Sequence, residues 1–255
     1  MAETWAEAAK KINCGNGRHW TIETLKCLQS APADDLLKLL DPLASVSLSP
    51  EVVLGNDLLP FDSLQGGINQ LANSQKSIQV LLGSTDDEGS LVLPLMDMKT
   101  FALFDPKTLS QSEAFNELKK YAALLVPPKG AQSPTVNGDE VARFYINQQS
   151  SSGNSFQRTI GTALGDFYVS CPVVEFGNRL RRTAPANRLT VFQYVWSRKV
   201  PSRDVPCADW MGACTASDVS MLFGQPFEER EQFSPDDRQF SVRFMQTVGS
   251  FLWEG

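Results

Sequence analysis

The chain has 255 residues, 42% hydrophobic and 20% charged, which suits one large or two small packed domains and excludes a disordered chain. Its formal charge of −6 and isoelectric point near 4.9 exclude the basic footprint of a nucleic-acid binder. No apolar run is long enough to span a bilayer, and the N-terminal stretch, with acids at Glu3 and Glu7 and no apolar centre, does not read as a signal peptide.

In chain order, residues 3–11 and 21–29 read as short helices. Between them, Cys14 and Cys27 flank a short polar loop. That pair is a candidate disulfide whose closure contributes about 3 kcal/mol; the alternative is reduced thiols. The remaining cysteines are Cys171, Cys207 and Cys214. None has CxxC spacing and the chain holds a single histidine, His19, so neither a zinc site nor any other metal or cofactor is expected. Ser30, with Pro32 and acids at Asp34 and Asp35 behind it, predicts a helix start before "LLKLL". Residues 49–60 read as extended, with a turn at Gly55-Asn56.

"SIQVLLGS" (Ser77–Ser84) predicts a strand covered on both faces. An amphipathic helix follows, with Ala114, Phe115, Leu118, Tyr121 and Leu125 on one face and Pro127 as its stop. Gln148–Ser155 reads as a polar connector. From Phe156 to Leu180 the pattern is helical, interrupted at Cys171-Pro172. "RLTVFQYVWS" (Arg188–Ser197) predicts a second buried strand, and a final helix opens at Ser234 with Pro235 in its first turn. Strands separated by helices predict an α/β layer with a parallel sheet. Two such strands cannot cover themselves, so the chain is expected to be part of something larger. No GxGxxG, Walker, HExxH or GxSxG motif occurs.

Several segments then resemble the type-B carboxylesterase and cholinesterase family, in family order. "VLLGSTDDEGSLVLP" resembles its acid-bearing loop, and "VVLGNDLLP" the stretch before it, with Leu54 and Asn56 where acids are usual. "GDFYVSCPVVEFGNRL" resembles its Asp-x-x-x-x-Cys-Pro segment through Asp166, Cys171 and Pro172. "VFQYVWSRK" is similar to a late strand of the family, "ADWMGACTASDVSMLFGQPF" to its histidine-bearing loop, and "FSPDDRQFSVRFMQTVGSFLWEG" to its closing helix.

The resemblance implies the C-terminal part of an α/β-hydrolase fold, a mostly parallel sheet flanked by helices, with residues 1–255 forming a partial carboxylesterase domain that omits the nucleophile elbow. It implies a Ser, acid, His order of catalytic groups. Glu88 then falls at the acid position. The family histidine falls on Thr215, the glycine after it on Ala216, and a following acid is retained as Asp218. A threonine hydroxyl cannot take the serine proton near neutral pH. Asp218 is expected to cap or orient the helix that follows, and His19, far along the chain, is not expected to replace the base.

Trp210 resembles a pocket aromatic, with a core role equally open. Cys14–Cys27 fits a family disulfide. The family partner of Cys171 lies beyond the closing helix, and Cys207 and Cys214 are close enough to pair without the family pattern requiring it. The implied substrates are small carboxylic or choline esters, and the implied location is extracellular. Three readings stand: an ester hydrolase, here expected to be inactive; a non-catalytic binding protein like the neuroligins; or a truncated product with no independent function. The implied partners are another protein or the missing N-terminal half. A half-domain is also expected to expose the edges and faces of its central strands and to be poorly soluble alone.

Overall fold

The structure, a computed structural model, describes residues 9–16, 21–39, 54–73, 77–124, 137–152, 155–183, 188–201 and 207–254. The chain divides into two compact units, residues 1–62 and 63–255.

The first unit holds helices α1 (Ile22–Ser30) and α2 (Ala33–Leu39). Thr21 caps α1, its hydroxyl accepting from the Thr24 N–H at 3.1 Å. Cys14 and Cys27 are disulfide-bonded, and Cys14 packs with Ala9 and Leu28 in a small buried cluster. His19, and the segment 3–8 of the first predicted helix, lie outside the described residues. Ser30 closes α1 rather than opening α2, its hydroxyl donating to the Cys27 carbonyl at 2.9 Å. The second helix starts after Pro32, whose carbonyl accepts from the Asp35 and Leu36 N–H groups. The predicted turn forms at Gly55, which takes φ +74°, a left-handed value that glycine adopts without penalty. Asn56 Oδ1 then accepts from the Leu58 and Leu59 N–H groups.

The second unit is built on two parallel strands, β1 (Ile78–Thr85) and β2 (Leu189–Trp196), in register from Ile78 opposite Leu189 to Thr85 opposite Trp196. Helix α3 (Leu64–Ala72) precedes β1. A 3-10 turn (Glu88–Leu91), α4 (Val92–Met96), α5 (Gln111–Leu124), α6 (Gly138–Ser152), α7 (Phe156–Gly165) and α8 (Cys171–Thr183) form the crossover. After β2 come a 3-10 turn (Asp209–Met211), α9 (Ser217–Leu222), α10 (Gln225–Glu228) and α11 (Pro235–Glu254).

Successive strand residues point to opposite faces, and each face meets a different helix. Ile78, Val80, Leu189 and Val191 pack with Leu180 of α8 and Ile68 of α3. Phe192, Tyr194 and Trp196 meet Phe251, Phe244 and Phe240 of α11, edge to face. A parallel α/β layer is therefore present, as expected. The strands are less buried than their composition predicts: in β2 only Leu189 and Trp196 at the ends are buried, and Phe192 and Val195 are exposed. These few helices do not cover two strands with open edges, and on the second face α11 stands alone.

A second core lies among α5, α6 and α7, where Leu118, Ala142, Ile146, Ile160 and Leu164 surround Phe101 and Leu93. Two expectations change here. The polar connector at Gln148–Ser155 is largely helix, since α6 runs to Ser152. Asn137 starts it by accepting from the Asp139 and Glu140 N–H groups, and the burial of Ala142 and Ile146 outweighs the weak propensity of its serines. The interruption expected at Cys171-Pro172 is instead a π-helical turn over Asp166–Ser170. Its extra residue shifts the hydrogen-bond register just before Pro172, which has no N–H to give.

Candidate active site

The candidate site is the junction of two loops at the carboxyl end of the parallel strands. The first leaves β1 through Thr85-Asp86-Asp87 and turns at Glu88. The Glu88 side chain does not reach outward. It is 7% exposed, and its Oε1 accepts the Thr85 N–H at 2.6 Å. The turn lies backbone-to-backbone on α7, and three glycines allow this. A Cβ at Gly89 would overlap the Gly161 carbonyl and the Gly165 nitrogen, and a Cβ at Gly161 or Gly165 would meet the backbone of Ser90 or Gly89. The Ser90 hydroxyl closes the turn onto the Asp87 carbonyl at 2.7 Å.

The second loop enters through Trp210 and Met211. Met211 is fully buried. Trp210 packs beside Phe101 with its Nε1 donating to the Ala102 carbonyl at 3.1 Å, so it serves the core and lines none of the principal cavities of the described residues. Gly212 takes φ +71°, and a Cβ there would strike the Asp87 carboxylate and the Arg158 guanidinium. Thr215 follows, and its hydroxyl donates to the main-chain carbonyl of Glu88 at 2.6 Å. Positions 127 residues apart are thus in direct contact. Ala216 has φ +64°, a left-handed conformation that costs a side-chain-bearing residue roughly 1 kcal/mol. A glycine stands at the matching place in the pattern that the loop resembles.

Of the two roles expected of Asp218, capping or orienting α9, it makes no capping hydrogen bond and fits the second. It accepts from the Tyr194 hydroxyl at 2.8 Å, tying α9 to β2. Burial first, then the Asp218 carboxylate, pushes the Tyr194 hydroxyl well above its ordinary pKa, so it stays a donor. The Tyr194 ring occupies the space that a Cβ at Gly83 would need.

One polar contact of this junction was not anticipated from sequence. Asp87, 2% exposed, takes both Nε and a terminal nitrogen of Arg158 from α7 at 2.8 Å. It also accepts the Ala213 N–H at 2.9 Å, while its own N–H donates to the Ala213 carbonyl at 3.1 Å. One carboxylate therefore joins the acid turn, the Thr215 loop and α7. The hydrogen bonds that Arg158 donates to Asp87 raise its pKa further, so the guanidinium is charged at every relevant pH.

Chemically, the junction offers a buried Glu88 carboxylate held by the Thr85 N–H and a Thr215 hydroxyl spent on the Glu88 main-chain carbonyl. Neither Thr215 nor any described neighbour named above is an imidazole. Among the described residues no group of His, Cys, Asp and Glu is placed to hold a metal. A groove of about 500 Å³ at the strand ends is lined by Thr85, Asp86, Asp166, Cys171 and Glu175. Burial and the Asp166 charge raise the pKa of the exposed Cys171 thiol, which disfavours the nucleophilic thiolate.

Comparison with known proteins decides the family. The sequence profile of the Carboxylesterase family matches residues 1–255. The chain belongs to the carboxylesterase family. It is 25% identical over 197 residues to an acetylcholinesterase of Leptinotarsa decemlineata, covering 77% of this chain and 28% of that protein. It is 24% identical over 238 residues to an acetylcholinesterase of Bungarus fasciatus, covering 91% and 36%. It is 24% identical over 249 residues to a cholinesterase of Mus musculus, covering 92% and 37%. This carboxylesterase-family chain thus spans about a third of the length of the relatives it matches. Among its described residues no helix is long and apolar enough to cross a membrane.

Asp87 and Arg158 are the residues that sequence reasoning missed. Nothing local in the sequence points to this pair, whose members stand 71 residues apart.

Proposed function

We propose that residues 1–255 are the C-terminal part of a carboxylesterase α/β-hydrolase domain, with Glu88 at the acid position and Thr215 in place of the base. The domain is of the type that acts on small carboxylic or choline esters, and this chain does not hydrolyse them. The reading is carried by one observation: the Thr215 hydroxyl lies 2.6 Å from the Glu88 carbonyl. In an acid–histidine–serine relay the imidazole must sit beside the acid, take the serine proton and return it to the leaving group. A threonine at that place donates one hydrogen bond and accepts no proton near neutral pH.

The open face between β2 and α11 supports a partial domain. Its groove of about 610 Å³ is lined by Phe192, Tyr194, Trp196, Phe240, Phe244 and Phe251, a surface suited to packing against further polypeptide. The same face supports the second reading, a non-catalytic binding protein of the neuroligin kind, in which a protein partner is the ligand.

The test uses the full natural gene product. Expected is no turnover of phenyl, naphthyl or thiocholine esters above the uncatalysed rate. Installing Thr215→His is expected to raise hydrolysis by roughly 10²-fold or more if a nucleophilic serine is present, the size of a general-base contribution. Turnover by the unaltered protein, together with covalent labelling by an organophosphonate, overturns the proposal.

A further inference from the structure

A second disulfide closes the Thr215 loop. Cys207 is bonded to Cys214, whereas the Cys14–Cys27 bond belongs to the other unit. Cys214 is fully buried, forms a backbone bridge to Asp87, and directly precedes Thr215. Cys207 is partly exposed.

The two halves of this small ring are held differently. Trp210, Met211 and Ala213 are fixed by the core and by Asp87. On the Cys207 side, the contacts stay largely within the ring: the Ala208 N–H donates to Met211 Sδ at 3.4 Å, and Cys207 Sγ lies 3.6 Å from the Gly212 carbonyl. Among the described residues, its side-chain link outward is the exposed Lys199 ammonium, which meets the Asp209 carboxylate at 2.6 Å and the Asp209 carbonyl at 3.2 Å, a kind of contact that contributes little. The disulfide therefore ties the loosely held arm to the residue next to Thr215.

We propose that Cys207–Cys214 is a redox-sensitive clasp that sets the order of residues 207–216, and with it the contact between Thr215 and Glu88. The inference goes beyond the function proposed above and stands on the loop's geometry alone. The reductant is a dithiol. Its thiolate attacks Cys207 Sγ, the accessible sulfur; the S–S bond breaks and Cys214 leaves as a thiolate. The second thiol of the reductant resolves the mixed disulfide and departs as the oxidised, disulfide form. Two electrons pass to the protein, and Cys207 and Cys214 each end with one proton. Reoxidation reverses each step.

Hydrogen exchange read by mass spectrometry tests this on the full chain, titrated with dithiothreitol while alkylation maps which bond has opened. A Cys14→Ser/Cys27→Ser background isolates the second bond. Once Cys207–Cys214 is reduced, the amides of Ala213 and Thr215–Ser217 are expected to exchange at least tenfold faster, with β1 and β2 changed less than twofold. Cys207→Ser/Cys214→Ser should show the fast rate without reductant and no response to it. Unchanged exchange overturns the proposal. So does equal acceleration across residues 63–254, which makes the bond a staple of the whole unit. If the serine background does not fold, the alkylation map of the unaltered chain gives the same decision, since it identifies the reductant level at which each bond opens.

Discussion

The carboxyl end of the β-ribbon and the face between β2 and α11 belong to the same sheet and follow opposite rules. At the strand ends, the contacts are polar, short and between segments distant in sequence: Asp87 with Arg158 and Ala213, Thr215 with Glu88, Tyr194 with Asp218. On the α11 face they are aromatic and incomplete, with Phe192 44% exposed. Fixed geometry is concentrated where two loops must meet, and apolar surface is left open where one helix covers two strands. Directional contacts lose much when one partner is removed, because the other stays buried and unpaired. Open apolar contacts lose little, because water already reaches them.

The largest expected effect comes from breaking the polar end. Asp87→Ala leaves the Arg158 guanidinium and the Ala213 N–H without their shared acceptor. The cost is expected to be about 3–5 kcal/mol, the range for removing one partner of a buried pair, read as a lower urea midpoint at unchanged slope. A loss below about 1 kcal/mol would place the stability of this junction in its glycine packing instead.

A smaller effect of the same kind is expected at Asp237, where α11 begins. Its Oδ2 accepts from the Ser234 N–H at 2.9 Å and the Ser234 hydroxyl at 2.7 Å, and its Oδ1 from Arg198 at 2.7 and 3.1 Å. Burial alone would raise the Asp237 pKa; the hydrogen bonds from Ser234 and Arg198 outweigh it and hold the carboxyl below its ordinary value. A lowered folded pKa contributes stability that is present above the unfolded value and lost as pH falls through the folded one. Asp237→Asn is expected to cost about 1–2 kcal/mol at neutral pH. That difference should hold down to about pH 5 and shrink on further acidification. A difference independent of pH would mean that shape, not charge, holds the helix start.

Much of this arrangement is legible in the sequence, and the reasons differ by element. Both strands follow from short apolar, β-branched runs. The nearness of Glu88 and Thr215 follows only from the family pattern, since nothing local in either loop points to the other. The Asp87–Arg158 pair has no local signature at all, because its members are 71 residues apart and the acid sits in what reads as a solvated turn. The length of α6 was hidden by its serines, since tertiary burial and not propensity extends it. Ala216 was read only as a departure from glycine; the backbone gives that departure its physical meaning, φ +64°. Ala216→Gly is therefore expected to stabilise the chain by about 0.5–1 kcal/mol by relieving left-handed strain, offset in part by greater freedom when unfolded. A thermal melt that does not rise would show that the loop's hydrogen bonds absorb the strain.

The smallest effect is expected on the exposed surface of β2. Val195 is 61% exposed and borders both the aromatic groove and the strand-end groove. Val195→Lys keeps a long aliphatic stem along the strand and places its charge in water. It removes little buried area, so the folding free energy of this chain should change by less than about 0.5 kcal/mol. The same substitution in the full natural gene product separates two origins of the exposed face. If further polypeptide covers β2, the lysine must be desolvated and the cost rises to about 2 kcal/mol or more. If the face is solvent-exposed there too, the cost stays small, and the contrast between a rigid strand end and an open strand face is a property of the whole protein.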